Sequence, residues 1–433
     1  MLGFLPSDAL LRVSDFLWIG EVLSLRLTSA AVCSTIDHCD EFRRDALLKE
    51  LTTSRIIPKK SSARTQLMNL YDPRRWRVTS HKSPNGCMRR WLHRSSGGFV
   101  FGGRSGDCLL NDLWRVRADM SFELIKSESG PSARCSAGFA VWDKKFIVFG
   151  GLAQEGLEAR FSNEVWFAEM DESVEWRRLR RGPEARWGHV MVGIGGSANI
   201  PPDIYLFGGS SPGKLHDDFY SFKSGQFNPC DVSALPPPRA GHAACECFID
   251  GLGLCLVISG GNTPPPNVET RTDMWVYSPE LNGIWIPVLI DVDDSESFQS
   301  AQSDDNMIET VLAPRIGHSI ISIRKNVVVI AAGRDIANGQ HIYYDYMEIV
   351  KFNEVKLISE QYTLVASVSK LVVNNQLCRT GACTVPVTGG FLLLGGLGGS
   401  NDKHLQEEGI EGLPPIKEGE AELPDDLVFI EIL

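Results

Sequence analysis

Six times between residues 98 and 399 a short apolar run of β type ends in two small residues: Gly102-Gly103, Gly150-Gly151, Gly208-Gly209, Gly260-Gly261, Ala332-Gly333 and Gly395-Gly396. The runs read GGFVFGG, KFIVFGG, IYLFGG, LVISGG, VVVIAAG and FLLLGG. Self-similarity at a spacing of roughly 50 to 70 positions marks a repeat protein, in which a unit covers its apolar faces only by stacking on its neighbours.

The text around each pair defines the unit. An arginine turn precedes it: SARCSAG at Arg134, ARWGH at Arg186, PRAGH at Arg239, PRIGH at Arg315 and CRTGA at Arg379. A hydrophilic loop follows, then a strand opened by an acid, as in NDLW at Asn111, NEVW at Asn163, DDFY at Asp217, TDMW at Thr272, YDYM at Tyr344 and DDLV at Asp425. A further aromatic strand often comes next: FELI at Phe122, WRRL at Trp176 and WIPV at Trp285. Each unit is therefore four short strands, and four antiparallel strands with two apolar faces stack radially as propeller blades. Six pairs predict a mainly β, six-bladed propeller over residues 74–433. The last unit stops at Leu433 before its fourth strand, while RRWRVTS at Arg74 to Ser80 has the look of that strand. Residues 74–80 are expected to close blade six and leave no free sheet edge.

This pattern resembles the kelch repeat, marked by a double glycine ending one strand and a spaced aromatic pair further on. The resemblance runs from about Trp76 to Leu433. Departures are Ala332 for a glycine in blade five, tyrosine and valine for the first tryptophan in blades three and six, and a short first strand around Trp91.

Ahead of the repeats, LPSDALLRVSDFLWIGEVLSLRLTSAAVCSTI places Leu10, Val13 and Leu17 on one helical stripe, with Ser7 or Asp8 as cap and Gly20 as breaker. A second helix from Glu21 carries Val22 and Leu25, and a third starts near Thr28. Three such helices bury too little to stand alone. Residues 2–48 resemble an F-box: LP followed by an acid, alternating apolar anchors, then RLTSAAVC. Ser34, Ile36 and Phe42 depart from that family's usual basic residue and tryptophans. F-box with kelch is a recurrent pairing, particularly in plants, and the expected division is an F-box over 1–50, a basic linker over 51–73 and the propeller beyond.

The resemblance implies a non-catalytic substrate receptor of a Skp1-cullin-F-box ubiquitin ligase. Leu5, Pro6, Leu10, Val13, Leu17, Val22, Leu25 and Val32 would bind Skp1, and through it a cullin, or else pack as a helical core of the chain's own. The propeller would hold a protein target. Arg134, Arg186, Arg239, Arg315 and Arg379 occupy one equivalent position each. They either form a ring near one mouth of the channel, which with Trp187 and Trp91 takes an acidic or phosphorylated segment, or pair with backbone or an acid of the neighbouring blade. In a kelch sensor of oxidative stress the matching RxG arginines bind acidic groups of a captured peptide. Trp114, Trp166, Trp176 and Trp275 are expected in the core between blades, and His189, His242 and His318 as repeat elements rather than metal ligands. A kelch scaffold without ubiquitin transfer is the alternative.

Enzyme readings fit less well. The metal-dependent specifier proteins of kelch type need a Glu, an Asp and a His, each separated by three positions, and that array is missing; a Tyr-Cys oxidase site cannot be placed. Cofactors and metals are not expected, nor flavin, since the chain starts at the F-box. Eleven scattered cysteines and one lone CxC read as reduced thiols. With no apolar run long enough to span a bilayer, and with Asp8 and Arg12 interrupting the N-terminus, the expectation is a cytoplasmic or nuclear protein. The net charge of −11 is uneven: residues 288–314 carry seven acids and no base, and 400–426 nine acids against two bases. Residues 43–94 lean the other way, with fourteen Lys and Arg against three acids, but lack the interleaved aromatics that nucleic-acid binding needs.

Overall fold

The computed structural model describes residues 76–432, apart from 128, 143–144, 157, 171–173, 180, 196–202, 233, 265–267, 292–311, 338–339, 359–360, 374, 399–423 and 425. The helical region expected at 1–50 and the linker at 51–73 lie outside the described residues. Among the described residues the chain is nearly all β, with two short 3-10 turns.

The strands fall into six consecutive antiparallel sets of four. They are Arg94–Ser96, Phe99–Ser105, Cys108–Val116 and Phe122–Ile125 (blade 1); Gly138–Trp142, Lys145–Phe149, Val165–Met170 and Val174–Arg178 (blade 2); and Val190–Ile194, Asp203–Phe207, Phe219–Lys223 and Gln226–Pro229 (blade 3). Ala243–Ile249, Gly253–Ser259, Met274–Ser278 and Ile284–Ile290 make blade 4, and Ser319–Arg324, Val327–Ala331, Tyr346–Ile358 and Gln361–Val372 make blade 5. Blade 6 combines Cys383–Val387, Gly390–Leu394 and Asp426–Glu431 with a strand from the other end of the repeats, Arg77–Lys82. That strand pairs antiparallel from Arg77 with Glu431 to Lys82 with Asp426. The sequence places it at 74–80, slightly early.

The first strands touch in the order of the blades, and the first strand of blade 6 touches that of blade 1. Six backbone hydrogen bonds close the circle: the N–H groups of Ser136, Gly188, Gly241, Gly317, Gly381 and Leu92 each donate to the carbonyl of the preceding member, at 2.7 to 3.1 Å. All six residues have φ between 50° and 68°. Glycine takes that conformation freely and other residues adopt it at a cost, which is why RxG recurs in four copies while Leu92 and Ser136 are the strained members. The arrangement is consistent with a six-bladed propeller.

Packing follows. The core is a series of clusters between adjacent blades, such as Phe99, Phe101, Phe139, Phe146 and Trp176 between blades 1 and 2. Trp176 is buried as expected, whereas Trp114, Trp166 and Trp275 are only half-buried. Blade 5 carries an irregularity: its outer hairpin is built of strands of 13 and 12 residues, and Val288 to Ile290 of blade 4 pair parallel with its Leu364 to Ala366. Blades 4 and 5 thereby share one eight-stranded sheet.

Candidate interaction face and central channel

The arginines that precede the glycine pairs do not open onto a channel mouth. Arg134, Arg186, Arg239, Arg315 and Arg379 are all at most 3% exposed. Each guanidinium is held by an acid from the third strand region of its own blade. Arg134 binds Glu164 at 2.9 Å, Arg239 grips both oxygens of Asp273 at 2.9 and 2.6 Å, and Arg379 reaches Asp426 at 3.1 and 3.2 Å. Arg186 is bidentate to Asp218. Arg315 meets Glu348 at 3.1 Å rather than the expected acid of YDYM, and its guanidinium lies 4.2 Å from the centre of the Tyr344 ring. A sixth copy, Arg90 with Asp112 at 2.6 and 2.8 Å, completes the set.

A second contact ties each arginine to its glycine pair. Nη1 donates to the carbonyl of the first small residue: Gly102, Gly150, Gly208, Gly260, Ala332 and Gly395, in each case at 2.6 to 3.1 Å. Around the acid the aromatic two residues on closes the network, with the indole N–H of Trp114, Trp166 and Trp275 donating to Asp112, Glu164 and Asp273. Burial alone would raise the pKa of these three carboxyls. The hydrogen bonds and charge of the arginine, with the indole N–H, hold them below the ordinary carboxylate range instead. The five arginines thus pair with backbone and an acid, as in the second role open to them from the sequence, but the acid belongs to the same blade rather than to the neighbouring one, because the turn and the start of the third strand of one blade meet at the same end of its sheet.

The histidines of the motif pack with equal regularity. His189, His242 and His318, joined by His93, are buried and project onto the first glycine of the preceding blade. A Cβ at Gly150, Gly208, Gly260 or Gly395 would stand 3.0, 3.0, 2.8 and 2.9 Å from the Cε1 of the next blade's ring. Burial, with the adjacent arginine charge, pushes His93 and His318 down to about 3 and lowers His189 and His242 as well. Among the described residues no group of three or more His, Cys, Asp or Glu side chains is placed to hold a metal ion, and the nine cysteines are free thiols.

What remains accessible lies on the face where the glycine pairs end. Short hairpins rise there: Leu152–Glu155 with Glu158–Phe161, Ser210–Ser211 with Lys214–Leu215, and Arg334–Ala337 with Gln340–Tyr343. Between them Trp91, Cys135, Leu152 and Leu397 are buried, and Leu92, Leu109, Phe161 and Trp187 pack on them half-buried. Of the residues expected to bind the target, Trp187 is the one on this accessible surface; its backbone bridges Ser210. The residues expected to bind Skp1, Leu5 to Val32, lie outside the described residues.

The other feature is the channel itself, a cavity of about 520 Å³ lined by the first strands. It extends from His242 and His318, next to the backbone ring, to Phe248 and Arg324 at the far face. Glu246 lines it and is exposed to the water it holds, and desolvation by the surrounding channel walls raises its pKa to about 7.

No family model matches the chain. It is similar to an F-box/kelch-repeat protein of Arabidopsis thaliana, 25% identical over 275 residues that cover 55% of this chain and 51% of that protein. Tip elongation aberrant protein 1 of Schizosaccharomyces pombe is 28% identical over 226 residues, 47% of this chain and 18% of its own length. Putative adagio-like protein 2 of Oryza sativa subsp. japonica is 29% identical over 136 residues, 30% of this chain and 20% of its own. The chain therefore spans about half the length of the Arabidopsis relative and about a fifth of the other two.

Proposed function

We propose that the chain is the substrate-recognition subunit of a Skp1-cullin-F-box ubiquitin ligase. Residues 1–50 bind a Skp1-type adaptor and the six-bladed kelch propeller binds a protein target, in the cytoplasm or nucleus. The observation that carries the reading is the conjunction of a closed β ring having a half-buried apolar face with similarity to an F-box/kelch-repeat protein. The receptor performs no chemistry. Tethering raises the local concentration of target lysines near a charged ubiquitin carrier, an effect of effective molarity.

The network around the arginines redirects the search for the target contact. Their donors are spent on backbone and acids within each blade, so the contact falls to Trp187, Leu92, Leu109 and Phe161 and to the loops around them. Half-buried aromatic side chains at the centre of a face are the usual anchors of a protein interface.

The test is affinity purification of the full chain from cells, with Skp1 and cullin probed directly. Both are expected to copurify, and the Leu5→Ala, Pro6→Ala double variant is expected to lose both while keeping the melting temperature of the ring. Wild-type protein that captures other partners but neither Skp1 nor cullin would leave the kelch scaffold as the better reading.

A further inference from the structure

The six turn arginines, Arg90, Arg134, Arg186, Arg239, Arg315 and Arg379, each have an acid, and one arginine that lines the channel does not. That one is Arg94, on the first strand of blade 1 directly after His93. Its charge acts on His93, His189 and His242 and on the thiols of Cys135 and Cys383, residues of five different blades, which places the guanidinium close to the axis. Among the described residues no carboxylate acts on it and no hydrogen bond holds it.

An unpaired cation in a partly enclosed channel is costly unless water or a ligand relieves it. Arginine stays protonated there, because it cannot shed its charge as a lysine would. The counterparts of Arg94 in the other blades are Gly138, Val190, Ala243, Ser319 and Cys383, none charged, and a lone channel cation with no gain inside the fold is where a ligand is to be sought.

The surroundings describe that ligand. Phe139, Val141, Val190, Val192 and Ile320 make most of the channel wall apolar, with Glu246 and Arg324 the other charged groups that line it. The four histidines of the motif belong to blades 1, 3, 4 and 5; the two neighbours of blade 1 carry Ala137 and Ala382 instead. Small side chains therefore flank blade 1 on both sides, where the other blades place an imidazole. The size of the channel lies within the range of small-molecule sites.

We propose that the channel binds a small organic anion, an apolar body ending in one carboxylate or phosphate, whose head group pairs with Arg94. The body lies along the apolar walls toward Phe248. The same chemistry could be delivered as a free molecule or as an acidic side chain of a protein partner.

Calorimetric titration of the full chain with decanoate, decyl phosphate, decanol and a short peptide holding one glutamate between leucines tests this. At least one anionic probe is expected to bind, with affinity at least tenfold weaker for Arg94→Met and for decanol. Binding by decanoate or decyl phosphate points to a free anion, and binding by the peptide alone to a side chain. Melting curves guard against misfolding: Arg94→Met is expected to match or exceed the wild-type melting temperature, and the bound anion to raise the melting temperature of the wild type only. Anionic probes that bind both proteins equally, decanol that binds as well as decanoate, no binding by any probe, or a destabilised Arg94→Met variant would each overturn the proposal.

Discussion

Blade 5 breaks the double-glycine rule with Ala332, and the blade after it breaks the histidine rule with Ala382. The packing links the two. In four other blades the histidine of the next blade lies where a Cβ on the first glycine would approach its Cε1 to 2.8 to 3.0 Å. At Ala332 that Cβ is present, at φ 59°, and both it and Ala382 are buried in one cluster. A histidine at 382 in the rotamer of its counterparts would therefore sit up to about 1 Å inside the roughly 3.5 to 4.0 Å optimum for carbon contacts. Overpacking of this kind costs about 1–3 kcal/mol. Ala332→Gly alone should be nearly neutral, since relief of about 1 kcal/mol of backbone strain is offset by the entropy of the glycine. Ala382→His is expected to destabilise the wild type by about 1–3 kcal/mol and the Ala332→Gly background by little, a coupling of about 1–3 kcal/mol. Guanidinium unfolding of the four proteins, with calorimetric melting as a check, reads it. Equal losses in both backgrounds would refute the link and leave Ala332 and Ala382 as independent accidents.

Other consequences are as direct. Arg239→Ala leaves Asp273, whose side chain is 34% exposed, and the carbonyl of Gly260 without their partner and should cost about 1–3 kcal/mol; an unchanged melting temperature would contradict the pairing. Charge reversal at Arg186 or Arg239 would unfold its blade, so loss of target capture in such a variant reports on the fold and needs a melting curve beside it. Gly241→Ala would bring a Cβ to 2.6 Å from Ile316 Cγ1 and demand a φ of 66° from an alanine. The ring should then lose about 1–3 kcal/mol in denaturant unfolding. The four buried histidines have folded pKa values below the unfolded 6.5, so they favour folding above that pH and the benefit fades as pH falls toward 3. Melting temperature should decline as acid is added below the unfolded value, with a loss of up to about 1.4 kcal/mol per pH unit for each histidine. Glu246 has the opposite sign: with a folded pKa raised from 4.5 to about 7, it costs stability progressively as pH rises from about 4.5 to about 7, with no further loss above. The cost is about 1 kcal/mol at most once channel water screens it, so Glu246→Gln should help at neutral and alkaline pH and do nothing below about pH 4.5.

The architecture was legible because strand ends are written in glycine. A residue in left-handed backbone under a neighbour's carbonyl has one common solution, and it recurs six times with one substitution. The closing strand was legible for a related reason: blade 6 ends after three strands, and RRWRVTS, with the aromatic look of a fourth, stood ahead of blade 1. The long outer hairpin of blade 5 was not. Tyr346–Ile358 and Gln361–Val372 differ from their counterparts in length alone, and their parallel pairing with Ile284–Ile290 has no local mark. Arg94 was missed as well. A single arginine after a histidine carries no pattern, and its meaning comes from the acids that the topology fails to bring near it.

The arginine of R-x-G reads two ways from sequence, as a ligand contact or as a strut, and the deciding residue lies well downstream, as far as from Arg379 to Asp426. Where the third strand opens with an acid followed two residues later by an aromatic, the acid takes the guanidinium and the aromatic N–H or O–H takes the acid. Asp112 with Trp114, Glu164 with Trp166, Asp218 with Tyr220 and Asp273 with Trp275 all follow that rule. Blade 5 opens its strand with Tyr344, Asp345 and Tyr346, and the arginine turns to Glu348 and to the tyrosine faces instead. The arginine and the strand-opening acid should therefore be read as one unit. An R-x-G arginine that no acid of its own blade reaches is the one free to meet a ligand. The five candidates in this chain all have such an acid and are struts, which leaves the apolar face around Trp187 and the channel cation Arg94 as the contacts proposed above.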